Sequence, residues 1–139
     1  MDLSVVIPTY NEAENIQILI ERVFRVFHEH SLDGEIIIVD DNSPDGTQQV
    51  ASQLRSTFIN LEVLRRLNKR RPSSAAVLDG IQLARGNMIG VMDADLSLRI
   101  IFCKLNCVYF GKLREWLRFF TLLLINLNCF REKVYAAGH

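Results

Sequence analysis

Apolar positions in the first ninety or so residues follow two spacings in turn, and each spacing predicts an element. Residues 3–7 are a short run rich in β-branched side chains and closed by Pro8, as expected of a strand. From Ile16 onward, apolar residues recur at Leu19, Ile20, Val23, Phe24 and Phe27, which places them on one face of an α-helix. Asn11 with Glu14 three residues later has the form of a capping pair, so this helix is expected from near Glu12 to near His30, before the Asp33-Gly34 turn. Residues 35–39 are almost continuously apolar, the pattern of a strand buried on both faces. Residues 40–46 are turn chemistry, and Thr47 is expected to cap a second helix carrying Val50, Ala51 and Leu54. Residues 61–64 read as a third strand. A helix capped by Ser73 or Ser74 then runs through Ala76, Val77, Ile81 and Ala84 to a stop at Arg85-Gly86, and residues 88–92 make a fourth strand.

Strands alternating with helices in the order βαβαβαβ are joined by right-handed crossovers and lie parallel in a sheet covered on both faces. Such sheets take ligands at the carboxyl ends of their strands. Four polar clusters fall there: residues 8–12, residues 40–43, the basic group Arg65, Arg66, Lys69, Arg70 and Arg71, and Asp93-Ala94-Asp95. Adjacent strand side chains point to opposite faces, so Asp93 and Asp95, spaced by two, can reach toward one pocket. Paired carboxylates there suit a divalent cation held against a diphosphate, because hard cations prefer oxygen donors. This is the chemistry of a nucleotide-sugar site.

A length of 139 residues, 49% of them hydrophobic, fits a single domain with a core of its own. Sixteen basic and sixteen acidic residues give a formal net charge of zero, which points away from nucleic acid and leaves the basic cluster as a local feature. Three cysteines without a CxxC pair argue against a disulfide framework or a zinc site. The amino-terminal apolar run is too short for a signal peptide or membrane span, so a cytoplasmic location, at most at the cytosolic face of a membrane, is expected. His28 and His30 lie near a helix carboxyl end, where a cation is favourable, and are assigned no catalytic role.

Taken together, Val6-Ile-Pro-Thr-Tyr-Asn-Glu12, the stretch from Ile38 through Asp40-Asp41-Asn42-Ser43-Pro44-Asp45-Gly46 to Thr47, Ala84-Arg-Gly86 and Met92-Asp-Ala-Asp-Leu-Ser97 resemble the inverting family 2 glycosyltransferases of GT-A fold. Within these the resemblance is closest to polyprenol-phosphate (dolichyl-phosphate) mannosyltransferases. It implies an α/β, Rossmann-like nucleotide-diphospho-sugar transferase fold, of which residues 1–97 are the donor-binding half. It further implies that Pro8, Tyr10, Glu12, Val39 and Asp41 line the base and ribose pocket. Asp93, Ala94 and Asp95 would then meet ribose, diphosphate and metal, with Asp93 and Asp95 catalytic and Asp95 and Ser97 holding Mg²⁺ or Mn²⁺. The implied reaction moves mannose from GDP-mannose to a polyprenol phosphate with inversion. A phosphate acceptor is already anionic near neutral pH and requires no general base. The motifs leave open UDP-glucose as donor.

The chain departs from the family pattern twice. Where the family carries a glycine-containing loop after the third strand, this chain has Lys69-Arg70-Arg71-Pro72-Ser73-Ser74-Ala75, and proline removes the backbone freedom that glycine supplies. After Ser97 the expected His-Pro-Pro is absent, and residues 98–139 read as an apolar tail foreign to the fold, helical around Leu113, Leu117, Phe120 and Leu124. The chain is therefore expected to be truncated relative to the family. Its tail suits core packing or peripheral membrane contact. Beside an active transferase stand two other readings: a nucleotide-binding remnant without turnover, and a non-enzymatic partner subunit.

Overall fold

The computed structural model describes residues 1–67, 73–94 and 101–103. The elements run β1 (Leu3–Thr9), α1 (Ile16–Glu29), β2 (Gly34–Asp40), α2 (Thr47–Leu54), β3 (Leu61–Arg65), α3 (Ser73–Leu83), β4 (Met88–Val91) and β5 (Ile101–Cys103). They build one sheet of order β3-β2-β1-β4-β5. β1 pairs in parallel with β2 and β4, and β2 with β3, so the chain order reverses beside β1. The expected α/β architecture and all seven expected elements are present. β5 is an addition: it pairs antiparallel with β4 and lies past the expected division at residue 97. The helical reading of residues 113–130 falls outside the described residues.

Register explains how the two faces are filled. Val5, Ile7 and Thr9 of β1 stand beside Ile36, Ile38 and Asp40 of β2, while Val6 and Pro8 stand beside Ile37 and Val39 on the opposite face. The second face meets α3 in a core of Val6, Ile37, Val39, Ala76, Ile89 and Val91. Gly80 lets α3 approach that closely, since a Cβ there would lie 2.4 Å from Val6 Cγ1 and 3.0 Å from Val39 Cγ2. The first face takes α1, which buries Ile16, Leu19, Ile20, Val23, Val26 and Phe27. α1 and α2 adjoin one another, and Phe24 of α1 stacks on Phe58, just after α2, at 4.5 Å between ring centres.

Two local expectations are corrected. α1 starts at Ile16 rather than near Glu12, and Asn11 is no helix cap: its φ of +58° is left-handed, and Asn15 occupies the cap position. Thr47 does not cap α2 either. Gly46, at φ +93°, holds that position, and Thr47 is the first helical residue. Near Asn11, Asp45 of the β2–α2 turn takes the Ala13 N–H, and at α2 the Thr47 hydroxyl is itself engaged with the Glu12 N–H and Asp45.

Candidate functional site

Parallel pairing brings the carboxyl ends of β1, β2, β3 and β4 to one rim, and the expected residues fall on it. Pro8 and Val39 are register partners near the ends of β1 and β2, with Val39 fully buried. Tyr10 follows β1 with 56% of its surface exposed, leaving a ring face open to a ligand. Glu12 is partly buried, and its carboxylate accepts from Asn15 Nδ2 at 3.0 Å. Met92 N–H donates to Val6 O at 3.0 Å, carrying the chain past β4 alongside β1 to a half-buried Asp93 and a buried Ala94. Asp95 and Ser97 lie outside the described residues. The rim thus gathers Pro8, Tyr10, Glu12, Val39, Asp41, Asp93 and Ala94.

Asp40 and Asp41, neighbours at the end of β2, have opposite surroundings. Asp40 is fully buried and accepts from Thr9 Oγ1 at 3.2 Å, from Ser43 N–H at 2.9 Å and from the Ser43 hydroxyl. It organises the turn. Asp41 keeps 26% side-chain exposure and pairs with Arg66 Nη1, while Arg66 Nε reaches Asp79 of α3 at 3.0 Å. Arg66 is only 6% exposed, and its Nη2 is buried without a hydrogen-bond partner among the described residues. A buried donor left unpaired is costly.

Arg66 is neither a solvated loop charge nor a free cation for diphosphate: two carboxylates hold it. Arg65 donates from Nε and Nη2 to Asn42 Oδ1. Lys69, Arg70 and Arg71 are outside the described residues. Beside Arg66 a cleft of about 390 Å³ opens between the end of β3 and α3, lined by Leu64, Arg65, Arg66, Leu67, Asp79, Gln82 and Leu83. Sequence reading missed Arg66 and Asp79 as a pair, because nothing in the spacing of residues 66 and 79 reveals that a helix carries one to the other.

The turn between β2 and α2 supplies further unforeseen contacts. Asn11, Glu12 and Ala13 donate their main-chain N–H groups to Ser43 Oγ, Thr47 Oγ1 and Asp45 Oδ2 at 3.0, 2.9 and 3.0 Å. Burial opposes the charge on Asp45, but the Thr47 hydroxyl and the N–H groups of Ala13 and Thr47 outweigh it and hold that carboxyl below the usual aspartate range. Ala84-Arg85-Gly86, grouped with the site motifs by resemblance, lies at the opposite, amino-terminal ends of β1 and β2. There Arg85 pairs with Glu35 at 2.7 Å, and Gly86 N–H donates to Ser4 Oγ at 2.8 Å. That motif is structural.

Among the described residues no group of three or more His, Cys, Asp or Glu side chains is gathered as a metal-ligand set. Of the residues expected at a metal, Asp95 and Ser97 lie beyond the described residues, and Asp93, two positions before Asp95, is half-buried. One or two carboxylates suit an ion that completes its shell with substrate phosphate oxygens and water, as Mg²⁺ does.

A sheet of this order, parallel except for β5, with its polar residues at the strand ends beside a reversal of chain order, is the nucleotide-diphospho-sugar transferase fold of the GT-A class, as its likeness to solved glycosyltransferases shows. A solved mannosyltransferase from Pyrobaculum calidifontis, in complex with GDP-Man and Mn²⁺, matches it with a TM-score of 0.59 and 25% identity, covering 67% of this chain and 27% of that one. The profile of Glycosyl transferase family 2 matches residues 4–100, and the chain belongs to that family. It is 44% identical over 97 residues to a dolichol-phosphate mannosyltransferase of Pyrococcus furiosus, covering 70% of this chain and 26% of that protein. It is 40% identical over 98 residues to one of Mycosarcoma maydis, covering 68% and 33%. The chain thus spans a quarter to a third of the length of these curated relatives. No helix among the described residues is long and apolar enough to cross a membrane.

Proposed function

We propose that the rim binds a nucleotide sugar, and that the chain carries the donor half of a transferase moving mannose from GDP-mannose to a polyprenol phosphate with inversion. The observation that carries this reading is the meeting of Tyr10, Glu12, Asp41 and Asp93 at one strand-end rim in a family 2 chain. Tyr10 offers its ring to the base or ribose, and Asp41 and Glu12 accept from their N–H and O–H donors. Pro8 and Val39 form the apolar floor, and Ala94 lies beside the ribose and diphosphate. Asp93 would meet the ribose and diphosphate, and Asp95 would hold Mg²⁺ or Mn²⁺, with Ser97 as a weaker neutral donor. Bound there, the ion supplies charge stabilisation for a departing diphosphate. An acceptor at a membrane surface fits a peripheral membrane contact.

Lys69-Arg70-Arg71-Pro72, in place of a glycine-containing loop, favours a second reading, a remnant that binds nucleotide without turnover. Calorimetric titration with GDP and with UDP, each with and without Mn²⁺, tests both against an Asp95→Asn control. Metal-dependent GDP binding lost in the variant is expected, and tighter UDP binding redirects the donor to UDP-glucose. A folded chain that binds neither refutes the nucleotide site. Mannose transfer from GDP-mannose to a polyprenol phosphate then separates the transferase from the remnant.

A further inference from the structure

The loop carrying Tyr10 and Glu12 is held only in part by its own sequence, through Asn15 and Ile16 N–H groups donating to Glu12 O at 3.0 and 2.9 Å. Asn11 between them sits at φ +58°, a left-handed conformation that residues other than glycine seldom adopt. Its support comes from across the rim. We infer that the β2–α2 turn is a latch for this loop, with Ser43, Asp45 and Thr47 as positioning residues for nucleotide binding; this rests on the nucleotide reading above.

Three consecutive main-chain N–H groups enter the latch, and each meets a different side chain. Two of the acceptors are hydroxyls that pass a hydrogen bond onward to a carboxylate. Ser43 Oγ accepts from Asn11 and donates to the fully buried Asp40. Thr47 Oγ1 accepts from Glu12 at 2.9 Å and donates to Asp45 Oδ1 at 2.6 Å. The other Asp45 oxygen takes Ala13 directly. A hydroxyl whose proton is committed to a carboxylate is a stronger and better-directed acceptor, so the two relays reinforce the bonds to the loop. Ser43 is buried and Thr47 fully so, which keeps water from replacing them.

Neither hydroxyl has a proton free to offer a ligand, because each is committed to a carboxylate, and both side chains are buried. What they contribute is preorganisation: a loop already fixed at Asn11, Glu12 and Ala13 does not have to be ordered when the nucleotide arrives. Removing one such bond weakens binding by about five- to tenfold, the usual worth of a single hydrogen bond.

The test pairs amide hydrogen exchange with nucleotide titration on the full chain. In the wild type the amides of Asn11, Glu12 and Ala13 are expected to exchange slowly. Thr47→Val should speed exchange at Glu12 and weaken Mn²⁺-dependent GDP or UDP binding by about five- to tenfold, and Thr47→Ser should restore both. Ser43→Ala, with Ser43→Thr as its rescue, repeats the test at Asn11 should Thr47→Val fail to fold. Rapid wild-type exchange at all three amides overturns the latch. Faster exchange in Thr47→Val with unchanged affinity overturns its positioning role. A wild-type chain with protected amides that binds neither nucleotide overturns the nucleotide reading and the positioning role with it, leaving the latch as a feature of the fold alone.

Discussion

Replacing Glu35 by glutamine should destabilise the protein by about 2–3 kcal/mol at neutral pH, although the residue lies at the amino-terminal end of β2, away from the rim. Glu35 is fully buried, and its Oε1 accepts from Ser4 Oγ at 2.6 Å and Arg85 N–H at 2.7 Å. Its Oε2 accepts from Arg85 Nε at 2.8 Å and Nη2 at 2.7 Å. The guanidinium is 58% exposed and rehydrates when unpaired, so losing that arm costs at most about 1 kcal/mol. The two bonds on Oε1 survive to a glutamine oxygen, but each falls from a charge-assisted bond to a neutral one, a loss of about 1 kcal/mol apiece. Glu35→Ala leaves the Ser4 hydroxyl and the Arg85 N–H without their acceptor and should cost about 3–5 kcal/mol. Burial raises the carboxyl's proton affinity, but hydrogen bonds from Ser4 and from the Arg85 main chain and side chain outweigh it, and its pKa lies below the ordinary value of 4.5. A carboxylate depressed in the folded state adds stability above its unfolded pKa and loses it as pH falls through the folded one. The gap between wild type and Glu35→Gln, read from urea midpoints at constant slope, should therefore be full at pH 7 and shrink only below about pH 4.5. A gap under about 0.5 kcal/mol at pH 7, or one that widens in acid, would refute the reasoning.

Gly86→Ala should cost roughly 2–3 kcal/mol or more, because its Cβ would lie 2.5 Å from Ser4 N and 2.6 Å from Leu3 C, main-chain atoms that cannot swing aside; an unchanged urea midpoint counts against that packing. Arg66→Met keeps the stem but strands Asp41 and Asp79, and since both are 26–30% exposed the loss should be about 2 kcal/mol, at the low end for a broken buried pair. The same variant should weaken nucleotide binding through Asp41, and a wild-type titration curve would remove Arg66 from the account of the site. Ile59, 92% exposed, serves as the control: Ile59→Ser should shift stability by no more than about 0.5 kcal/mol.

The elements were legible because their signals are local and repeated. The run Ile36-Ile37-Ile38-Val39 and the helical spacing from Ile16 to Phe27 each repeat one message over several residues, and burial follows both patterns. The caps were not legible. Asn11 and Thr47 have the right residue types, yet the decisive partners lie 32 and 35 positions away in the pairs Asn11–Ser43 and Glu12–Thr47. Local capping rules cannot weigh such competition. β5 was missed for a related reason: a three-residue strand exists only through its pairing with β4. At the rim, Tyr10, Glu12, Asp41 and Asp93 could be named from strand-end logic, whereas Asp79 could not, being a helix residue whose meeting with Arg66 is purely tertiary.

The two adjacent aspartates at the end of β2 show how strand alternation sorts structural from available groups. Asp40 is the register partner of Thr9, on the α1 and α2 face, so its side chain turns beneath the β2–α2 turn, where Thr9 and Ser43 take up its oxygens. One residue on, Asp41 is directed to the α3 side, where Arg66 and Asp79 lie, and it retains access to solvent. Exchanging their roles would need a one-residue slip of β2, which would also carry Ile36, Ile37, Ile38 and Val39 to the wrong faces. The hydrophobic register thus decides which carboxylate is buried in the turn and which keeps access to solvent beside Arg66. Asp40→Asn should accordingly be read mainly in stability and in exchange at Asn11, and Asp41→Asn mainly in nucleotide affinity. Urea midpoints and GDP titrations of the two variants side by side would refute this division if both substitutions moved the same quantity.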